Sequence, residues 1–281
     1  MTKKSFLSRL LYSNRSPLQP FVVKAVRRFE HGSFRQRLEL GALERPHYGY
    51  CVYHAADLAK KLNYDSISVI EFGVAGGNGL VILEQYAQEV AAEIGIKIEV
   101  YGFDNVTGLP APTDYRDLPY HWKAGFFEMD EAALRRRIRH AKLVLGDVAD
   151  TLKTFFETYK PAPIGAVLYD LDYYSSTKPA LEILRAEEQH RLPRLYCYFD
   201  DIIGAETELY NDYSGVRLAM SEFNAAGEMK LSPCYHLTTS EFPKIWYHQI
   251  YSLHDFQHGR YNDFVSQDNA HQLPLSPNPD Q

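Results

Sequence analysis

Two sets of residues in this 281-residue chain have the types and the spacing to do chemistry. The first is a glycine turn, Gly73-Val-Ala-Gly76-Gly77-Asn-Gly79, entered from the apolar run 67–70 and Glu71. Without a Cβ such a turn bends sharply and brings backbone N–H groups close to a ligand. A helical pattern opening at Leu80 adds unpaired N–H donors behind it. The spacing Gly-x-x-Gly-Gly-x-Gly is not the Gly-x-Gly-x-x-Gly of dinucleotide folds, and no Lys-Ser or Lys-Thr follows as in a phosphate-binding P-loop. The second set is carboxylates: Asp170-Leu-Asp172 and Asp200-Asp201, each at the end of an apolar run. Brought together, Asp170, Asp200 and Asp201 repel one another unless protonated or bound to a cation, and an all-oxygen ligand set suits Mg²⁺ or another hard divalent ion. The alternative role of each acid is to cap the helix that follows.

These residues need a scaffold that carries strand ends to one place. The chain reads as alternating strands and helices from residue 67 on: strands 67–72, 96–103, 142–145, 164–169 and 194–199, with helices 80–94, 130–140, 148–159, 178–190 and 215–226. Short apolar strands alternating with helices predict a doubly wound, mostly parallel α/β sheet, in which ligands bind beyond the carboxyl ends of the strands. All five strands end on an acid: Glu71 at the first, then Asp104, Asp147, Asp170, and Asp200 with Asp201. Asp104 lies 25 residues after Gly79, close to the offset of about 20 at which an acid holds ribose hydroxyls. Asp147 ends the third strand, where an adenine edge would lie. Several carboxylates and no phosphate motif favour a cationic, nucleoside-containing cofactor over a nicotinamide dinucleotide. Two further β-like runs, 229–235 and 245–251, follow.

Residues 1–62 read as an N-terminal helical extension, basic and partly amphipathic over 1–45 and helical over 48–62; residues 63–265 read as the main domain and 266–281 as a fraying tail. The extension is expected to pack on the main domain, to act as a lid, or to join two copies in a homo-oligomer. Segment 105–127 is irregular and aromatic; Tyr115, Tyr120, Trp122, Phe126 and Phe127 can form a lid or a patch that pins a loop. His121 in that segment is the candidate general base.

Composition narrows the function classes. Hydrophobic residues make up 45% of the chain, enough for a large core. A net charge of −6 argues against a nucleic-acid binder. Cys51, Cys197 and Cys234 form neither a disulfide framework nor a zinc pattern, which suits a reducing compartment and a cytoplasmic location. No run approaches the roughly 20 apolar residues of a membrane span.

The ordered motifs resemble the class I S-adenosylmethionine-dependent methyltransferases, and within them the macrocin O-methyltransferase family. The resemblance runs from about residue 46 to 250. It rests on Val69-Ile-Glu-Phe-Gly-Val-Ala-Gly-Gly, on Gly102-Phe-Asp-Asn-Val-Thr-Gly-Leu-Pro110 (like the family's GFDSFEGLP), and on Trp122 and Gly125. Leu145-Gly-Asp-Val-Ala-Asp-Thr-Leu152, Leu171-Asp-Tyr-Tyr-Ser-Ser-Thr177 and Phe199-Asp-Asp-Ile202 complete it. It implies a seven-stranded Rossmann-like sheet ending in an antiparallel hairpin. It implies that S-adenosylmethionine is held by Glu71, Gly73, Val74, Gly76, Asp104, Asn105, Gly146, Asp147, Val148, Asp170 and Tyr173. It implies that Mg²⁺ is held by Asp170, Asp200 and Asp201, with Asp170 sharing the catalytic role given to His121. The implied reaction is Mg²⁺-assisted O-methylation of a small, hydroxylated, natural-product or sugar-like acceptor. The chain departs from the family at Leu171, where Asp-Gly-Asp has Gly, at Tyr173, and at Ile202, where a Tyr follows the paired acids; segment 111–127 is not that of a macrolide enzyme. A cofactor-binding protein without metal-dependent catalysis is the alternative. A nicotinamide oxidoreductase is disfavoured by the glycine spacing.

Overall fold

A computed structural model describes residues 19–29, 31–240 and 243–266. Most of the basic stretch expected to open the extension, and the expected tail, lie outside the described residues. Seven strands form one sheet: β1 (Ser66–Phe72), β2 (Lys97–Asp104), β3 (Lys142–Leu145), β4 (Ile164–Tyr169), β5 (Arg191–Phe199), β6 (Lys230–Pro233) and β7 (Ile250–His254). Their order is β3-β2-β1-β4-β5-β7-β6. The first five are parallel, and β7 runs antiparallel between β5 and β6. The doubly wound sheet and its antiparallel end are thus as expected.

The helices are α1 (Gln19–Phe29), α2 (Phe34–Leu40), α3 (Pro46–Lys61), α4 (Asn78–Ile94), α5 (Glu131–Arg137), α6 (Val148–Tyr159), α7 (Tyr174–Ala180), α8 (Gly215–Ala226) and the single turn α9 (Tyr235–Thr238). No described helix is long and apolar enough to cross a membrane. Helix α3 packs across β1, β4 and β5 and against α4. Its Tyr48, Cys51, Val52, Ala55, Ala56 and Ala59 are buried in the same cluster as Ile67, Val69 and Ile70 of β1.

Several expected boundaries move. The helix expected at 178–190 breaks up: α7 runs through Pro179 and ends at Ala180. Short 3-10 turns at Leu181–Arg185 and Glu188–His190 follow instead, and β5 starts at Arg191 rather than 194. The helix expected at 130–140 stops at Arg137, where Ile138 turns extended. The last β-run is displaced: 245–249 coils into a 3-10 turn and β7 occupies 250–254.

What positions the site is a row of rings under the strand ends. Phe103, Phe72, Tyr169 and Phe199 stand in register across β2, β1, β4 and β5. Their centroids lie 4.7, 5.4 and 4.7 Å apart, with Tyr169 and Phe199 stacked at 5°. Tyrosine and phenylalanine fill the space below, so Gly73, Asp104, Asp170 and Asp200, one residue further on, emerge together above an apolar floor.

Candidate active site

The glycine turn is tied to the sheet by both of its neighbours. Gly73 N–H donates to the Phe103 carbonyl at 2.9 Å, and Asp170 N–H donates to the Phe72 carbonyl at 2.9 Å. Gly73 has φ +83°, and a Cβ there would run into the Asp170 backbone carbonyl. Only glycine satisfies both constraints. A Cβ on Gly76, in contrast, would meet nothing within 4 Å. The turn therefore closes against β4 at one end and opens to the cleft at the other.

Asp104 holds this turn in shape. Its Oδ2 accepts the N–H of Val74 at 2.9 Å and of Ala75 at 2.8 Å, and its Oδ1 accepts that of Val106 at 2.6 Å. A carboxylate has about four acceptor positions, so room remains for a ribose hydroxyl. Asp147 caps α6 by accepting from Ala149 N–H at 2.7 Å and also faces the cleft. Glu71 is buried, with Oε1 accepting from the Tyr48 hydroxyl at 2.7 Å. Its Oε2 is buried without a protein partner. Burial pushes its carboxyl up to about 7, against the opposing hydrogen bond from Tyr48 and the charge of Arg45.

Beyond β4 and β5, one oxygen from each of Asp170, Asp200 and Asp201 lies within 4.8 Å of the others. Tyr198 hydroxyl donates to Asp200 Oδ1. Asp172 N–H donates to Asp201 Oδ2 at 3.0 Å, and Tyr210 hydroxyl donates to Asp201 Oδ1 at 3.1 Å. Burial and the charges of Asp201 and Asp200 raise the Asp170 carboxyl well above the ordinary range. Asp172 and Asp201 are raised as well, by burial first and then by the neighbouring acids. Asp172 takes the left-handed conformation, φ +55°, of the kind that holds strain at functional sites. Three oxygen donors converging with their charges uncompensated is the donor chemistry of a hard divalent cation.

A single cleft of about 420 Å³ joins both features. Glu71, Gly73, Val74, Gly76, Asp104, Asn105, Gly146, Asp147, Val148, Asp170, Asp200 and Asp201 all line it. Two expected site residues do not. Tyr173 is fully buried beneath it. His121 stands behind Trp122, its Nε2 3.9 Å from Glu208 Oε1. Of the expected aromatic lid, Trp122 and Phe127 reach the cleft. Tyr115, Tyr120 and Phe126 stay exposed at its rim. The lid is anchored from below by Asp117, which accepts from Thr113 and Ser175 through backbone and hydroxyl donors. It is anchored at its tip by the Tyr120 hydroxyl, which donates to the Glu208 carbonyl at 2.7 Å. Arg45 and Glu208 also line the cleft. Neither belongs to a motif, and nothing in the spacing of the sequence marks them.

The fold is similar to that of a solved calicheamicin methyltransferase, CalS11. That structure superposes with a TM-score of 0.50 over 86% of this chain and 93% of its own, at 18% identity. The fold is that of a class I methyltransferase. Looser overlaps are found with the mycinamycin-pathway methyltransferase MycE (TM-score 0.43, 14% identity, 93% of this chain and 58% of that one) and with an O-methyltransferase from Bacillus cereus (0.36, 13%, 88% and 94%). No protein-family model matches the chain, and no curated protein matches it either.

The class I methyltransferase cofactor, S-adenosylmethionine, has a positive sulfonium, an ammonium, a diol and an adenine. The cleft answers these with a turn that opens at Gly76, a buried and unpartnered oxygen on Glu71, and acids at the ends of β2 and β3.

Proposed function

We propose that this protein is an S-adenosylmethionine-dependent, Mg²⁺-assisted O-methyltransferase acting on a hydroxyl of a small-molecule acceptor. The observation that carries the reading is that one cleft joins the glycine turn after β1 to the Asp170–Asp200–Asp201 cluster after β4 and β5. When bound, the cofactor would supply a methyl group for in-line transfer to the acceptor oxygen, its sulfur leaving as a thioether, and a cation would fix the acceptor hydroxyl and ease loss of its proton. Asp170, Asp200 and Asp201 would hold the cation. The N–H groups of the 73–79 turn, Asp104 and Asp147 would hold the cofactor, with Asn105, Gly146 and Val148 walling its adenosine side. Trp122, Phe127, Leu109 and Pro110 cover the cleft and exclude water. Asp172 lines the cleft beside the cluster. His121 can receive the acceptor's proton only through Glu208 or a shift of Trp122, because it does not reach the cleft.

The test is a calorimetric titration of S-adenosylmethionine and S-adenosylhomocysteine, with Mg²⁺ and again with EDTA. Binding of both supports the cofactor site. Binding of neither removes the methyltransferase reading. Cofactor binding that ignores Mg²⁺, with no transfer to any hydroxylated acceptor, supports a cofactor-binding protein without metal-dependent catalysis.

A further inference from the structure

The loop between β5 and α8 touches the acid cluster at one point and the lid at another. A Cβ on Gly204 would meet Glu208 Oε2 and the Tyr210 ring, so the 3-10 turn Glu206–Glu208 and Tyr210 fold back onto that glycine. The Tyr210 hydroxyl then donates to Asp201 Oδ1 at 3.1 Å. Two residues earlier, the Glu208 carbonyl accepts the Tyr120 hydroxyl at 2.7 Å, and Glu208 Oε1 lies 3.9 Å from His121 Nε2. Trp122, the next residue, lines the cleft. Asp201 and Trp122 are thus joined through Tyr210, Glu208 and Tyr120, with a hydrogen bond at either end.

This loop has little burial to hold it. Gly204, Ala205, Glu206 and Thr207 are exposed, and Leu209, in the left-handed conformation, is 63% exposed. It is fastened again only where α8 begins, by Asn211 donating to the Ser214 hydroxyl at 2.8 Å and by Arg217 pairing with Asp212. A segment with few buried contacts takes its position from its hydrogen bonds.

The Asp201 end is the one an ion would steady. Oδ1 takes the Tyr210 hydroxyl, Oδ2 takes the Asp172 N–H, and oxygens of Asp170 and Asp200 stand within 4.8 Å. Their charges oppose any fixed orientation of the Asp201 carboxylate. A cation among them removes that opposition and fixes the carboxylate to which Tyr210 is bound. We propose that Tyr210 is a positioning residue that couples the acid cluster to the lid: an ion on Asp201 steadies Tyr210 and, through Glu208 and Tyr120, holds Trp122 over the cleft. The assignment rests on the Mg²⁺-assisted reading and adds an order of events, in which the cover over the acceptor is set once the ion is in place. Coupling between sites is reciprocal, so the latch at Tyr120 tightens the ion in turn. Tyr120 is 58% exposed and its hydroxyl reaches the Glu208 carbonyl, so the loop is its route to the cluster.

The chain has two tryptophans, Trp122 and Trp246, so Trp246→Phe leaves Trp122 as the fluorescent reporter. In that background Mg²⁺ is titrated by calorimetry into the EDTA-treated, dialysed protein, and acrylamide quenching of Trp122 is read with and without the ion. The parent, Tyr120→Phe, Tyr210→Phe and the double variant are compared. The parent is expected to bind Mg²⁺ and to become less quenchable on binding. Tyr210→Phe is expected to bind Mg²⁺ about 10- to 100-fold more weakly and to lose the quenching response at saturation. Tyr120→Phe is expected to weaken Mg²⁺ by about fivefold or more. The double variant should bind like Tyr210→Phe alone, because both changes break one path. Tyr120→Phe lies on the exposed rim and keeps the test in force if Tyr210→Phe fails to fold. Unchanged Mg²⁺ affinity in Tyr120→Phe, or a quenching response that survives Tyr210→Phe, overturns the coupling and leaves the methyltransferase reading standing. A parent that binds no Mg²⁺ overturns the cation part of that reading, and the coupling falls with it.

Discussion

Asp200→Asn should make the metal-free protein more stable and the Mg²⁺-loaded protein less so. Oxygens of Asp170, Asp200 and Asp201 lie within 4.8 Å of one another. Two unit charges at that distance repel by about 3.5 kcal/mol at an effective dielectric of 20. Removing the Asp200 charge deletes two such pairs, about 7 kcal/mol if all three acids were ionised. The protein already avoids part of that, because Asp170 and Asp201 are raised and take up protons. A net gain of about 2 kcal/mol, or about 3–4 °C in melting temperature for a chain of this length, is the expected remainder. The substitution keeps the Tyr198 hydrogen bond, since the amide oxygen still accepts it. Saturating Mg²⁺ should stabilise the wild type by about 2.7 kcal/mol at a concentration a hundred times its Kd, and the variant by less, for want of one ligand. Melting curves in EDTA and in Mg²⁺ should therefore cross over between the two proteins. A variant that is less stable in EDTA, with the same Mg²⁺ shift as the wild type, would refute the idea of a repulsive cluster awaiting a cation.

Two glycines separate structure from binding. Gly73→Ala forces a left-handed alanine whose Cβ meets the Asp170 carbonyl, and should cost about 2 kcal/mol or more in denaturant unfolding. Gly76→Ala meets no protein atom; it should unfold like the wild type yet lose S-adenosylhomocysteine in calorimetry. Stability should also depend on two half-buried histidines. Burial presses His47 down to about 3, helped by Arg45, and His54 down to about 4. Between pH 6.5 and 4 the unfolded chain binds more protons at these positions than the folded one, so their contribution is present at neutral pH and lost on acidification. Each should cost about 2 kcal/mol at pH 5, and the His47→Gln, His54→Gln double variant should show a flatter acid limb in unfolding measured from pH 7 to 5.

The parts of the site that the sequence discloses are those built from neighbours along the chain. Glu71, the glycine turn and the start of α4 are contiguous, and one burial pattern followed by four glycines describes them. The acids at the ends of β2, β4 and β5 were legible for the same reason: each ends an apolar run. What escaped depends on packing between distant segments. Arg45 reaches the cleft because α3 crosses β1, β4 and β5 and because Tyr86 pins the loop before it. Glu208 arrives on a short 3-10 turn held by Tyr120, 88 positions away in sequence. His121 has the right chemistry in a loop beside the cleft, but Trp122 takes the inward position. Boundaries failed where local geometry overruled apolar periodicity, as with the 3-10 turn at Leu181–Arg185 inside the expected helix and the one that displaces the last strand.

The place of β7 has a consequence for how the chain is made. β7 is the last strand in sequence, yet it lies between β5 and β6 and hydrogen-bonds to both. As synthesis proceeds, β5 emerges with its far edge unpaired, and the apolar Leu195 and Cys197 on it have no partner strand until Leu253 and Tyr251 arrive. An open, apolar edge is a template for pairing with another chain. Arg191, at the start of β5, likewise waits for Asp255, whose carboxylate meets it at 2.7 Å in the finished protein. The nascent chain can therefore assemble β1 to β5 with the glycine-turn end of the cleft, but it remains open at one flank until roughly residue 255 has left the ribosome. The ribosome thus releases the fold from the glycine-turn side outward, and the risk of mispairing concentrates in the interval between β5 and β7.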